Sequence, residues 1–163
     1  MHRAIETHLR THQVSRVIYG AIIGLALIVA LEHQPPTAGV VAATLVGTAV
    51  AVALAELYSE AVATEARTRR RISPAQIGAI SHDVAAVGFG IAFPAIFFVL
   101  AAVGVLEADT AFTVAKWSGL GLISMYGFLA GRLAGASLAV SLLQALAVGV
   151  IGGALIAFKA LIH

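Results

Sequence analysis

Five uncharged and mainly apolar runs divide the chain, at 17–31, 37–55, 84–106, 117–131 and 133–158. The hydrocarbon core of a bilayer is about 30 Å thick, and a helix crosses it with about 20 apolar residues. The third and fifth runs meet that length as they stand. The first meets it when Val14 and Ser15 join it. The fourth does so when it begins near Thr110 and takes in Lys116, whose stem can lie along apolar surface while its amine reaches water. The stretches between the runs are turn formers: a Pro-Pro pair in "EHQPPTAG", a polar hairpin in "LEADTA" and a glycine-bounded turn in "GRLAGAS". This pattern predicts an all-α integral membrane protein, a single transmembrane domain of five helices over approximately 15–32, 37–60, 83–106, 110–131 and 135–160.

Two segments fall outside the spans. Residues 1–14, the start of "MHRAIETHLRTHQVSR", are polar apart from positions such as Ile5 and Leu9, which is the pattern of a short helix lying in the interface. Residues 64–82 form the one sizeable connection between spans, within "TEARTRRRISPAQIGAISHD". There Ser73-Pro74 reads as a helix start, with serine as N-cap and proline at the first helical position. Nothing breaks span two between Thr44 and Arg71, so its helix is expected to continue past the membrane edge. The basic start and first apolar run also suit a secretory signal, but no small-residue cleavage pattern leads into a soluble domain, so the first span is read as retained.

Composition narrows the class. The chain is 60% hydrophobic and 11% charged, against roughly 45–50% and 25% in an ordinary soluble domain. Its 16 glycines and 7% aromatics suit helices packed closely on small residues. There is no cysteine, which excludes disulfides, thiolate metal sites and thiol nucleophiles. The net charge of +2 comes from few basic residues placed at the ends of apolar runs, so it signals topology in a lipid bilayer rather than a nucleic-acid partner. Arg3, Arg10, Arg16, Arg67, Arg69, Arg70, Arg71 and Arg132 belong to one side of a five-span arrangement, and Lys116 and Lys159 to the other. The positive-inside rule then places the N-terminus in the cytoplasm and the C-terminus outside, in a bacterial-type plasma membrane.

Chemistry is sparse. No nucleophile-base constellation, glycine-rich phosphate loop or zinc signature is present, so the sequence does not read as an enzyme and calls for no resident cofactor. The exception is "VALAELYSEAVATEARTRRR", where an apolar run passes into carboxylates and then arginines. Glu56, Ser59, Glu60 and Ala63 follow helical spacing, which sets Glu56 and Glu60 on one face one turn apart. Two such carboxylates can hold a cation together, or share a proton where water is excluded. Tyr58 and Ser59 would line the cytoplasmic mouth of that site. The competing reading pairs these glutamates with Arg16, Arg132 or the arginine cluster, and it stays open at this point. Arg67, Arg69, Arg70 and Arg71 suit anionic lipid or a cytoplasmic partner.

Other positions have structural readings. Lys116 and Trp117 form an interfacial anchor, and Asp83, beside His82, is an anion stabilised by the dipole at the start of span three. His8 and His12 stand one turn apart without a third ligand. Gly20 and Gly24, Gly127, Gly131 and Gly135, and Gly149 and Gly153 let helices approach closely, within a protomer or across a dimer. Pro94 should kink span three.

The segment "GFLAGRLAGASLAVSLLQALAVGVIGGALIAF" resembles the last hairpin of the vacuolar iron transporter family. "FGIAFPAIFFVL" resembles that family's third span, "AELYSEA" the end of its second and "RVIYGAIIGL" the start of its first. The resemblance implies a compact five-helix fold, a homodimer, and exchange of a divalent transition metal, as substrate, for protons between the subunits. Glu56 would correspond to the family's glutamate on span two. The chain departs from the family at Ile23, where an aspartate is expected, and at Val52, where a methionine is expected. The family's large cytoplasmic metal-binding insertion is replaced by the arginine-rich segment. Neither isoleucine nor valine offers a ligand atom. Two readings therefore stand: a transporter moving a divalent cation or protons past Glu56 and Glu60, or a non-transporting membrane-interaction protein that kept the fold and lost the metal site. A reporter fused after His163 is expected outside the cytoplasm and one inserted at Arg70 inside it; a cytoplasmic signal from the first rejects this topology.

Overall fold

Apolar runs without proline can satisfy their backbone hydrogen bonds only within themselves, so each becomes a helix that ends where the turn formers stand. The computed structural model describes the backbone of residues 2–162 and the side chains of residues 13–154, 156 and 157. Six helices and no strand occur among the described residues: α1 (His2–Leu31), α2 (Ala38–Thr68), α3 (Pro74–Ala92), α4 (Ala95–Ala102), α5 (Ala108–Leu133) and α6 (Leu138–Ile162). The expected separate N-terminal helix falls mainly on residues whose side chains lie outside the described set.

Helix ends follow local chemistry. At the end of α1 the Glu32 N–H still bonds the Ile28 carbonyl, before Pro35 and Pro36 forbid continuation. With 31 residues, α2 is about 46 Å long. It stops at Arg69, a residue in the left-handed region at φ 52°, two residues before the expected limit at Arg71. Glu65 accepts the Ile72 N–H there, and Ser73 and Gln76 form a reciprocal capping box with Pro74 at the start of α3. Pro94 separates α3 from α4, which bend by 49°, as expected of a residue that leaves a carbonyl of the preceding turn without its donor. α5 closes with the Ala136 N–H on the Gly131 carbonyl around Gly135, whose φ of 76° only glycine adopts without strain.

α1 runs through the middle of the bundle, against α3 and α5. α6 packs mainly on α5, while α2 packs on α3 and α4 and scarcely meets α1. Toward the α1–α2 turn, Ile28, Val41, Leu45, Phe98 and Phe112 are buried together, with the two rings edge to face at 4.8 Å. Ala21, Leu25, Val29 and Ile123 fill the middle, and Ala49, Val87 and Ile91 join α2 to α3. Large apolar side chains also point outward, among them Val50 and Leu54 on α2, Ile96 on α4 and Leu143 and Leu146 on α6.

By length and composition, Gln13–Leu31 and Ala38–Thr68 can each cross a membrane, and α3 with α4 makes a third if the bent pair is one span. α5 and α6 cover the fourth and fifth apolar runs. The apolar stretch of α6 among the described residues, Leu138–Ala154, is shorter than a span, and α5 carries Asp109, Lys116 and Arg132.

Gly20, Gly24, Gly127 and Gly131 pack against other helices of the protomer, whereas a Cβ on Gly135 or Gly153 would meet nothing within 4 Å. A Cβ on Gly20 would overlap the Val87 carbonyl oxygen, and one on Gly90 would lie 2.5 Å from the Val17 oxygen and 2.6 Å from the Ala21 nitrogen, so α1 and α3 meet backbone to backbone. A Cβ on Gly131 would likewise lie 2.8 Å from the Cα of Ser141 on α6. Gly20→Ala is expected to lower unfolding stability by about 1–3 kcal/mol. Gly121→Ala, where nothing lies within 4 Å, should not lower it. Unfolding in detergent checks both; equal effects would mean that the α1–α3 contact is not made.

Candidate functional site

Because α1 and α2 flank α3 and scarcely touch, a cleft opens between them at one end of the bundle. It holds a cavity of about 390 Å³ lined by Ser15, Arg16, Tyr19, Glu56, Ser59 and Glu60. Each of these side chains carries a polar group. The α1 residues stand at i, i+1 and i+4 and the α2 residues at i, i+3 and i+4, so each helix turns one face into the cleft.

The Arg16 guanidinium donates through Nη1 to Glu56 Oε2 at 2.8 Å, with the two side chains 16% and 26% exposed. That partial burial places the pair between an exposed ion pair, worth little, and a buried one, whose breaking leaves a stranded charge. The carboxylate expected to meet a cation therefore already has a cationic partner. Glu60 lies at the open edge, 44% exposed, with Arg67 Nη2 at 4.0 Å. Arg132 does not join them, since its Nη1 donates to the Ala136 carbonyl.

The other expectations divide. Ser59 lines the cavity with Glu56 and Glu60. Tyr58 does not: it is 74% exposed on the flank of α2, and the phenol in the cavity belongs to Tyr19. Arg67, in the last turn of α2, reaches back to Glu60 at the cavity edge, whereas Arg69, Arg70 and Arg71 are exposed at the turn that follows and do not line the cavity. Asp83 is not at a helix start. α3 begins at Pro74, so Asp83 sits in its third turn, beyond the reach of the terminal dipole. His82 Nδ1 accepts from the Gln13 amide Nε2 at 2.9 Å. His8 and His12 lie outside the described side chains. Among the described residues no three histidine, cysteine or acidic side chains come together as a metal cluster.

Lys116 is more than an anchor. Its amine donates to Glu32 Oε1 at 2.5 Å, both side chains being mostly buried, while Trp117 beside it is exposed. α1 thus carries one charged pair near each end of its apolar stretch, Arg16 to α2 and Glu32 to α5. The sequence offered Arg16 as one of several partners for the glutamates but hid Tyr19 and Ser15, because nothing local says which face of α1 turns toward α2. A second cavity, about 520 Å³, lies among α1, α3 and α5 and is walled mainly by apolar side chains such as Val17, Phe89 and Leu129.

Carboxylates and hydroxyls are hard oxygen donors, suited to protons or to hard cations more than to ions that prefer sulfur. For a cation to reach Glu56, the guanidinium of Arg16 has to move aside. Compared with known proteins, the chain matches no family model, no curated protein and no solved structure. A double-mutant cycle on Arg16→Ala and Glu56→Ala is expected to give a coupling of about 1–3 kcal/mol in unfolding stability. Additive effects would mean that the pair does not form.

Proposed function

We propose that the chain is a five-span membrane protein with a cytoplasmic N-terminus that moves a divalent cation or protons past Glu56 as a homodimer. The observation that carries this reading is the α1–α2 cavity, where two carboxylates, two hydroxyls, a phenol and a guanidinium gather in an otherwise apolar bundle. Polar groups so placed are expensive where water is scarce, and they mark ion or proton routes. In this reading the cation is the substrate. Glu56 alternates between the guanidinium of Arg16, which holds it when no cation is present, and the cation or proton that displaces that contact. Glu60 and Ser59 supply oxygens at the entrance. Supporting the dimer, Ala43, Gly47, Ala51, Ala55 and Ser59 form an exposed row of small residues along α2, a surface on which another helix can approach closely. A second copy on that row would wall the open side of the cleft.

The Arg16–Glu56 pair supports a second reading: a relative that kept the fold, closed its ion site with an internal ion pair, and acts as a membrane-interaction protein through its arginine segment. Flux measurements in proteoliposomes separate the two, screening divalent and alkali cations with and without a pH gradient. Transport predicts flux that is lost in Glu56→Gln; no flux for any ion from folded protein leaves the second reading.

A further inference from the structure

The length of α2 sets Arg69, Arg70 and Arg71 apart from the two charged pairs that bracket the apolar part of α1. α2 continues unbroken from Glu56 to Thr68 and turns at Arg69, about 20 Å of helix beyond Glu56. The Arg16–Glu56 and Glu32–Lys116 pairs are separated along α1 by about 24 Å of rise. A core of about 30 Å centred on the two pairs puts each about 3 Å inside its edge. The turn then sits about 17 Å beyond that edge, whereas the headgroup layer occupies only about 5–8 Å per leaflet. A tilt of about 20° shortens this by less than a tenth. The remaining gap of about 10 Å exceeds the Debye length of about 8 Å at physiological salt, over which the surface potential of anionic lipid decays.

The turn is also built to hold its shape. Thr68 Oγ1 donates to the Thr64 carbonyl, Glu65 accepts the Ile72 N–H, and the capping box at Ser73 starts α3 at once. Residues 61–80 contain four arginines and one glutamate, a net charge of +3, and Glu65 is spent on the turn itself. Arg67 leans back toward Glu60, while Arg69, Arg70 and Arg71 project from the end. Exposed Val62 and Ile77 lie within two turns of them on α2 and α3. No aromatic residue occurs between Tyr58 and Phe89 on which a base could stack.

We infer that the end of the α2–α3 hairpin is a docking surface for an acidic segment of a cytoplasmic protein, with Val62 and Ile77 receiving apolar residues that flank its carboxylates. Charge complementarity selects the partner, and distance from the headgroups excludes the membrane as its main occupant. The inference rests on the proposed topology and is independent of transport.

The chain has no cysteine, so Arg70→Cys provides a unique label on the otherwise unchanged protein. In intact cells a membrane-impermeant maleimide should fail to label it until the cells are opened. Labelling of intact cells overturns the topology, and the docking proposal with it. With topology upheld, a spin label at that position in nanodiscs should show no contact with nickel-chelating headgroups. A fluorescent oligo-glutamate peptide should bind nanodiscs of neutral lipid at about 0.15 M salt. Binding should weaken by at least about tenfold when the four arginines become glutamate, remain when they become lysine, and strengthen when leucines are interspersed in the peptide. Headgroup contact at position 70, competition by phosphatidylserine within the disc, tighter binding of polyuridylate than of the peptide, or no peptide binding would each overturn the proposal while leaving the topology standing.

Discussion

The bundle depends on the backbone-to-backbone contact of α1 with α3. Gly20 and Gly90 remove the side chains that would hold the two axes apart, and each faces main-chain atoms of the other helix. α1 is thereby committed to α3 on one side and α5 on the other. α2 is left to pack on α3 and α4, so it reaches α1 only along an edge. The polar cleft exists because of that geometry: a tighter α1–α2 contact would have to bury the charges of Arg16, Glu56 and Glu60 together with the hydroxyls of Ser15, Tyr19 and Ser59.

Charge is distributed by the same logic. A bundle whose outer surface carries Val50, Leu54, Leu143 and Leu146 has little room for unpaired ions. The partly buried charges near the ends of the apolar part of α1 are paired across helices, Arg16 with Glu56 and Glu32 with Lys116. Arg69, Arg70 and Arg71 are carried out to the exposed turn after α2. One chain thus separates a paired, sheltered set of charges from an exposed basic set, and the unbroken length of α2 is what keeps them apart.

Much of the architecture was legible along the chain. Ser73-Pro74 announced a helix start, Pro94 a bend, the Pro-Pro pair a break, and the uninterrupted α2 its continuation beyond the apolar run. The stop at Arg69 was less legible, because a left-handed arginine leaves no sequence signature comparable to a glycine. Asp83 was misplaced for a related reason: the helix start was visible at Pro74, but the apolar span begins later, and the two boundaries are distinct.

Sequence by itself determined the helical class, the positions of most turns, the shared face of Glu56 and Glu60, and the presence of glycines that permit close approach. These follow from local rules: hydrophobic run length, helical period and the backbone freedom of single residues. Only the tertiary structure decided that Gly20 meets Gly90, that Tyr19 rather than Tyr58 enters the cleft, and that Glu56 answers to Arg16. Partners 40 and 84 residues apart, as in the Arg16–Glu56 and Glu32–Lys116 pairs, are chosen by how the helices are rotated and stacked, and that depends on packing summed over the whole bundle rather than on any one stretch of chain.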